Sequence, residues 1–349
     1  MATITTTVIR LSELADGQEA ECFAILLRKV RGTTSRDQPF VKCYFRDKRV
    51  TLEAPLWADH RLHQQAIGWQ EGIAYRLRVR GAQHARYGLQ LEIQNARPAD
   101  VKDAADGYDF YDLVESTEYP PETLFQRIHE YVDKYIDDAH LNRLVRLLLE
   151  EHAEAFKKMP AATNFHHSFT GGLIEHVWSM TRISGMLADH YGRYYAKLNP
   201  PLNKGVIVAS AIVHDIGKLR ELEYHPVEAK YTKEGSLLGH IIIGRDMVRK
   251  AAERIEGFPE ETLLLLEHAI LSHHGKREFG APIVPMTLEA LIVSYVDDLD
   301  AKVNIAARER IFSTTDGAFT DKVYTLDNRR IYKGIPVELP PDSDPPAGV

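Results

Sequence analysis

The feature that most constrains this chain is a switch in its hydrophobic period. Up to residue 97 apolar residues recur at every second position, and from Glu122 onward at every third or fourth. Val41, Cys43 and Phe45 alternate with Lys42, Tyr44 and Arg46. Ile73, Tyr75, Leu77 and Val79 alternate with Arg76, Arg78 and Arg80, and Leu89, Leu91 and Ile93 with Gln90, Glu92 and Gln94. With apolar runs at 22–31 and 49–57, this reads as about five short strands, the pattern of a small antiparallel barrel. A basic and aromatic outer face, from Lys42, Tyr44, Arg46, Arg76, Arg78 and Arg80, is what an OB-fold presents to single-stranded nucleic acid: cations for phosphates, rings for unstacked bases. The same alternation also describes an ordinary solvated sheet face, and pattern alone leaves both readings open.

Beyond the strands the chain changes character. Residues 101–120 are acidic and irregular and read as a linker. Leu124, Ile128, Val132 and Tyr135 then share one helical face, and helical patterns follow at 172–191, 204–219, 236–256, 260–273 and 287–312. Residues 327–334 read as a short basic turn segment, and the Pro-rich tail 335–349 as disordered. The expected fold is therefore multidomain α and β: an OB-fold-like β-barrel at 1–100, a linker at 101–120, and an all-α module at 121–334. Charge divides at the same place. Residues 1–100 carry 15 basic and 11 acidic side chains, or +4, so the net −7 of the chain leaves −11 for the remainder.

Two cysteines, Cys22 and Cys43, exclude a disulfide scaffold and a Cys-rich zinc site and suit a reducing cytoplasm. No run approaches the ~18 apolar residues of a membrane span, and the opening MATITTTVIRLSEL lacks the pattern of a signal peptide. A cytoplasmic protein with no membrane partner is expected.

Histidine is the unusual residue. There are 16, ten of them between His166 and His274. An adjacent pair, His214-Asp215, closes the apolar run 206–213, where a helix end is buried and its polar groups need a strong partner. A divalent cation is one. Other helices offer His176, His240, the pair His273-His274, and Asp297. Each alone is commonplace, and the stretch Asp297 to Asp300 by itself describes a solvated face. Together they form an H…HD…H…HH…D series of imidazole and carboxylate donors, which suits manganese, iron, cobalt, magnesium or zinc, as one ion or two. With two, Asp215 bridges them, and water between them is activated. Lys218 follows His214 by one helical turn and shares its face if the helix continues through Gly217.

This series resembles the HD-domain metal-dependent phosphohydrolase superfamily. The resemblance extends to Met159-Pro160-Ala161-Ala162, His166-His167, Gly171-Gly172-Leu173-Ile174-Glu175-His176, Leu238-Gly239-His240, Leu271-Ser272-His273-His274-Gly275, Asp297-Asp298-Leu299-Asp300-Ala301-Lys302 and Asn328-Arg329-Arg330-Ile331-Tyr332-Lys333-Gly334, which look like the YhaM family over roughly residues 18–334. The resemblance implies an N-terminal OB-fold joined to an HD domain, and 3′→5′ exoribonuclease activity. It implies His176, His214, Asp215 and Asp297 as the ligand set, His240, His273 and His274 as ligands of a second ion, manganese as the foremost metal, and Asp215 and Lys218 as catalytic residues, with Lys218 stabilising phosphoryl oxygens. The family frequently carries histidine where this chain has Ser294, and the front module lacks a Gly-rich turn of its relatives.

Three functions follow as expectations. The first is a metal-dependent 3′→5′ exoribonuclease on single-stranded RNA, extending to single-stranded DNA, that releases nucleoside 5′-monophosphates. The second is an HD-type nucleotide or cyclic-dinucleotide phosphohydrolase. The third is a non-catalytic RNA- or single-stranded-DNA-binding adaptor. A homo-oligomer is compatible with each.

Overall fold

The computed structural model describes residues 8–33, 37–85, 87–163, 167–225, 229–313, 315 and 317–335. His166, and all of the expected disordered tail except Ile335, lie outside the described residues.

Period-2 alternation produces five strands: β1 (Glu19–Thr33), β2 (Pro39–Arg46), β3 (Thr51–Trp57), β4 (Ala74–His84) and β5 (Gly88–Pro98). They close into a barrel in the order β1-β2-β3-β5-β4. Four ladders are antiparallel, and closure comes from a parallel contact of β3 with β5 at Glu53 and Gln90. Val41, Cys43, Phe45, Leu77, Val79, Leu91 and Ile93 fill the interior, while Lys42, Tyr44 and Arg46 face outward. A short helix, α1 (His63–Gly68), brings Ala66 and the neighbouring Leu62 and Trp69 into the same core, where the Trp69 ring lies 5.9 Å from Phe45. β1 runs past the expected end at residue 31. Gly32 continues the strand, and the Phe40 ring covers it so closely that a Cβ there would lie 2.6 Å from Cζ.

The 101–120 segment has no long helix or strand, in keeping with its composition, yet it is docked rather than free. Short 3-10 turns form at Val101–Asp106 and Phe110–Asp112. Leu113 and Val114 are buried against Phe23, Ile25 and Ala74 of the barrel. The Arg76 guanidinium donates to Glu21 (2.8 Å), Asp103 (2.9 Å) and Asp106 (2.5 Å), and Arg97 also donates to Asp103 (2.7 Å). Arg76, expected on a strand-binding face, is instead a clasp for this segment.

The helical module comprises α2 (Pro121–Tyr135), α3 (Ala139–Glu151), α4 (Ala153–Lys158), α5 (Gly172–Tyr194), α6 (Lys204–Val213), α7 (Lys218–Glu221), α8 (Lys233–Ala252), α9 (Glu260–Ser272) and α10 (Leu288–Phe312). α6 is apolar all round and buried from Gly205 to Val213, as expected of a helix enclosed by others. It packs against α3, α5, α9 and α10. The expected continuous helix 204–219 is two pieces. α6 stops at Val213, and the chain turns through Asp215, Ile216 and Gly217 into α7. A Cβ on Gly217 would lie 2.0 Å from the His240 carbonyl oxygen, so that turn is pressed directly against α8. A two-residue ladder, β6 (Leu222–Glu223) with β7 (Lys230–Tyr231), follows. The basic segment 327–334, read as a turn, contributes β9 (Arg329–Tyr332) to a hairpin with β8 (Phe319–Val323), packed on Ile305 of α10. Among the described residues no helix is long and apolar enough to cross a membrane.

Candidate metal centre

Donor side chains from five helices and the turns that end two of them converge. His176 projects from α5, His214 and Asp215 from the end of α6, His240 from α8, His273 and His274 from the end of α9, and Asp297 from α10. Each of the five histidines is held through Nδ1. His214 Nδ1 donates to the Ala211 carbonyl (3.0 Å), His273 Nδ1 to that of Ile270 (2.6 Å), and His274 Nδ1 to that of Phe279 (2.9 Å). His176 Nδ1 meets Asp300 Oδ2 at 2.7 Å, and His240 Nδ1 meets Glu221 Oε1 at 3.1 Å. Such bonds fix ring orientation and tautomer and leave Nε2 as the coordinating atom.

Two groups of donors result, and Asp215 belongs to both. In the first, His176 Nε2 lies 3.2 Å from His214 Nε2 and 3.3 Å from Asp297 Oδ1, and His214 Nε2 lies 3.4 Å from Asp215 Oδ2. Donors at these separations would fit around a single divalent ion. In the second, His240, His273 and His274 offer atoms within 4.8 Å of one another, and Asp215 Oδ1 lies 3.5 Å from His240 Nε2 and 3.8 Å from His273 Nε2. Asp215 Oδ1, His240 Nε2 and His273 Nε2 are buried without a hydrogen-bond partner. Orphaned buried polar atoms are costly. Three of them aimed at one point fit a cation, and a donor set of imidazole and carboxylate without thiolate suits a divalent ion of intermediate or hard character.

The electrostatics agree. Burial opposes ionisation of Asp215, but Lys218 and His214 hold its carboxyl well below the usual range; Lys218 Nζ donates to Oδ2 at 2.6 Å. Asp297 is likewise held far down, its burial outweighed by the bond with His176 and the charge of His214. Burial pushes His273 and His274 down, toward the neutral form that binds metal. His176 is the exception. Burial disfavours its charge, yet Asp297 and Asp300 raise it to about 10.

Every residue expected as a ligand falls in this cluster. Lys218 does too, by a different route: the helix breaks before it, and it reaches Asp215 rather than the face of His214. Sequence reading missed Asp300, dismissed within a solvated-looking stretch. It is buried, three residues after Asp297 and hence on the same face. It also contacts His167 Nε2 at 3.2 Å and accepts from Ser179 Oγ. Glu221, which also accepts from the His240 backbone N–H (2.9 Å), was missed as well. No motif marks it, because only the turn after α6 brings it to His240. Ser294, buried one turn before Asp297, sits against Gly275, where a Cβ would lie 2.6 Å from Ser294 Oγ.

On the barrel, Arg28 stacks over the Tyr44 ring at 4.1 Å, Lys42 pairs with Glu53 (3.0 Å), and Arg46 reaches Glu115 (3.6 Å). Arg78 lies 4.0 Å from Glu19, and Arg80 is exposed. Tyr44 and Arg46 thus share one side with Lys42, apart from the Arg76 clasp. The exposed Trp57 packs on Phe40, and Arg28 was not among the outer residues expected from sequence.

Residues 173–302 match the HD domain family model, and 116–220 overlap a helicase family model. The curated 3′-5′ exoribonuclease YhaM of Geobacillus sp. (strain WCH70) is 36% identical over 320 residues, covering 91% of this chain and 93% of that protein. Its counterpart in Bacillus subtilis (strain 168) is 34% identical, covering 91% and 95%. Among solved structures, a replication protein A domain from Methanococcus maripaludis is 14% identical, covers 27% of this chain and 97% of its own, and has a TM-score of 0.23, too low to carry an argument. A relative more than one-third identical across nine-tenths of both chains leaves one conclusion: this chain belongs to the YhaM family of HD-domain proteins.

Proposed function

We propose that the chain is a metal-dependent exoribonuclease that removes nucleotides from the 3′ end of single-stranded RNA. The observation that carries this reading is the Asp215 carboxylate, which turns one oxygen to each of two histidine groups, as a carboxylate bridging two ions does. His176, His214, Asp215 and Asp297 would hold one divalent ion, and Asp215, His240, His273 and His274 a second. Bound ions supply activation of the attacking water and neutralise charge on the phosphoryl oxygens. Asp300 and Glu221 keep His176 and His240 aimed at their positions. Lys218 keeps Asp215 ionised and adds a positive charge beside the phosphoryl group. Attack on phosphorus breaks its bond to the 3′ oxygen. The shortened strand keeps a 3′ hydroxyl, and the released nucleotide carries a 5′ phosphate.

We read the barrel, residues 1–100, as an OB-fold, on its strand order and its docked α1, and the outer residues Lys42, Tyr44, Arg46, Arg78 and Arg80 as contacts to the strand. The helical module, 121–334, is the catalytic domain. Manganese suits the mixed donors, and single-stranded DNA is a further substrate. Two thiols that are buried and unpaired fit a cytoplasmic setting.

The test is a single-stranded RNA labelled at its 5′ end and incubated with a panel of divalent ions. A descending ladder is expected with manganese and none with Asp215→Ala. Absence of shortening with every ion, or activity that survives Asp215→Ala, overturns the reading. Immediate release of labelled mononucleotide reverses the polarity. Turnover of small nucleotides without shortening of RNA favours the nucleotide phosphohydrolase.

A further inference from the structure

Where the barrel meets the helical module, a cavity of about 430 Å³ lies between β1 and the segment that follows His167. Its volume is within the ~300–1,000 Å³ of small-molecule sites. Arg28 and Arg46 enter from the barrel, Glu115 from the docked segment, and Phe169, Thr170 and Tyr224 from the helical side. Beside it, Arg308 of α10 lies 5.3 Å over each of the Phe169 and Phe312 rings and donates to Glu115. Glu115 is therefore held between an arginine of each domain, Arg46 at 3.6 Å and Arg308 closer. Its backbone is fixed separately, with the carbonyl accepting from Thr170 N–H at 3.0 Å, so its side chain can leave without unseating the segment.

Two guanidiniums from different domains around one carboxylate, with a third stacked on Tyr44 close by, form an anion site filled by the protein's own anion. Arginine forks of this kind match phosphate as well as carboxylate. We propose that this junction binds a nucleotide phosphate, with Arg28, Arg46 and Arg308 as its ligands and Glu115 as the internal anion it displaces. The inference rests on the RNA reading above: the phosphate comes either from the bound strand, upstream of its 3′ end, or from a free nucleotide. The site would then join the barrel to the catalytic module each time a strand is engaged.

The experiment measures KM and kcat of the full chain on 5′-labelled single-stranded RNA at several salt concentrations. Arg308→Ala and Arg28→Ala are expected to raise KM about tenfold with a much smaller change in kcat, and to lower the slope of log KM against log salt by about 0.7 each. Glu115→Gln removes the competing anion and is expected to lower KM. If Glu115 is only a structural brace, the same variant lowers Tm and leaves KM unchanged or higher, and the proposal fails. Calorimetry with uridine 5′-monophosphate separates the sources: binding strengthened by Glu115→Gln identifies a free nucleotide, and no binding beside an altered RNA KM identifies the strand. Wild-type protein that does not shorten RNA defeats the functional reading. Wild-type protein that does, with arginine variants that keep its KM and salt slope, defeats this inference alone.

Discussion

At the scale of single residues, the proposed centre depends on carboxylates that orient its histidines. Asp300 touches His176 through Nδ1, and His167 and Ser179 hold Asp300 in turn. Removing such a supporting carboxylate typically lowers metal affinity about 10- to 100-fold. Asp300→Asn is expected to do so without unfolding the protein, read as a shift of the manganese-dependent rise in Tm to higher metal concentration. The cysteines make a different prediction. Burial raises the thiols of Cys22 and Cys43 to about 12. A group whose folded pKa is raised leaves stability intact below its unfolded pKa. Stability then falls as pH climbs from the ordinary thiol value of about 8.5 toward the folded one. Cys22→Ala should flatten the alkaline decline of Tm in that window, and neither thiol should react with an alkylating reagent in the native protein.

At the scale of elements, the decisive event is the end of α6. The helix stops at Val213, so Asp215 leaves helical register and can turn one oxygen to each histidine group, while Glu221 returns to His240. The turn that follows presses Gly217 against α8, leaving no room for a Cβ. Its φ of −63° is ordinary, so the constraint is space alone. Gly217→Ala therefore overpacks the contact, at a cost of about 1–3 kcal/mol or more. The expected result is a lower denaturation midpoint together with lost metal affinity, because the same contact places Asp215 and His240. A Tm and metal affinity equal to wild type would contradict this account.

At the scale of the whole molecule, two cores are held together by charged residues of the connecting segment. Arg76 fastens residues 100–106 to the barrel, and Leu113 and Val114 continue the attachment. Exposed ion pairs contribute little singly, but Arg76 serves three carboxylates at once. Arg76→Ala is expected to lower stability by on the order of 1 kcal/mol. It should also increase proteolytic cleavage within 98–112, with turnover of a small phosphodiester by the helical module retained. Unchanged cleavage would show that the apolar contacts alone hold the segment.

The amino-acid sequence by itself determined the two architectures and singled out the histidines and carboxylates that converge. Hydrophobic period is a local property, so five strands and a helical module were legible, as was the H…HD…H…HH…D series. Two things were not legible: which outward-facing arginines are free for a strand, and how the donors divide around Asp215. Arg76 and Arg78 occupy equivalent positions in the alternation, and only the path of residues 98–106 over the barrel distinguishes them. Asp300 and Asp298 are both acids beside Asp297, yet one is buried against His176 and the other is exposed with Lys302 at 2.7 Å. The tertiary structure decided these points because burial, ion pairing and convergence of side chains on one site arise between elements far apart in the chain, and a local pattern carries no information about them.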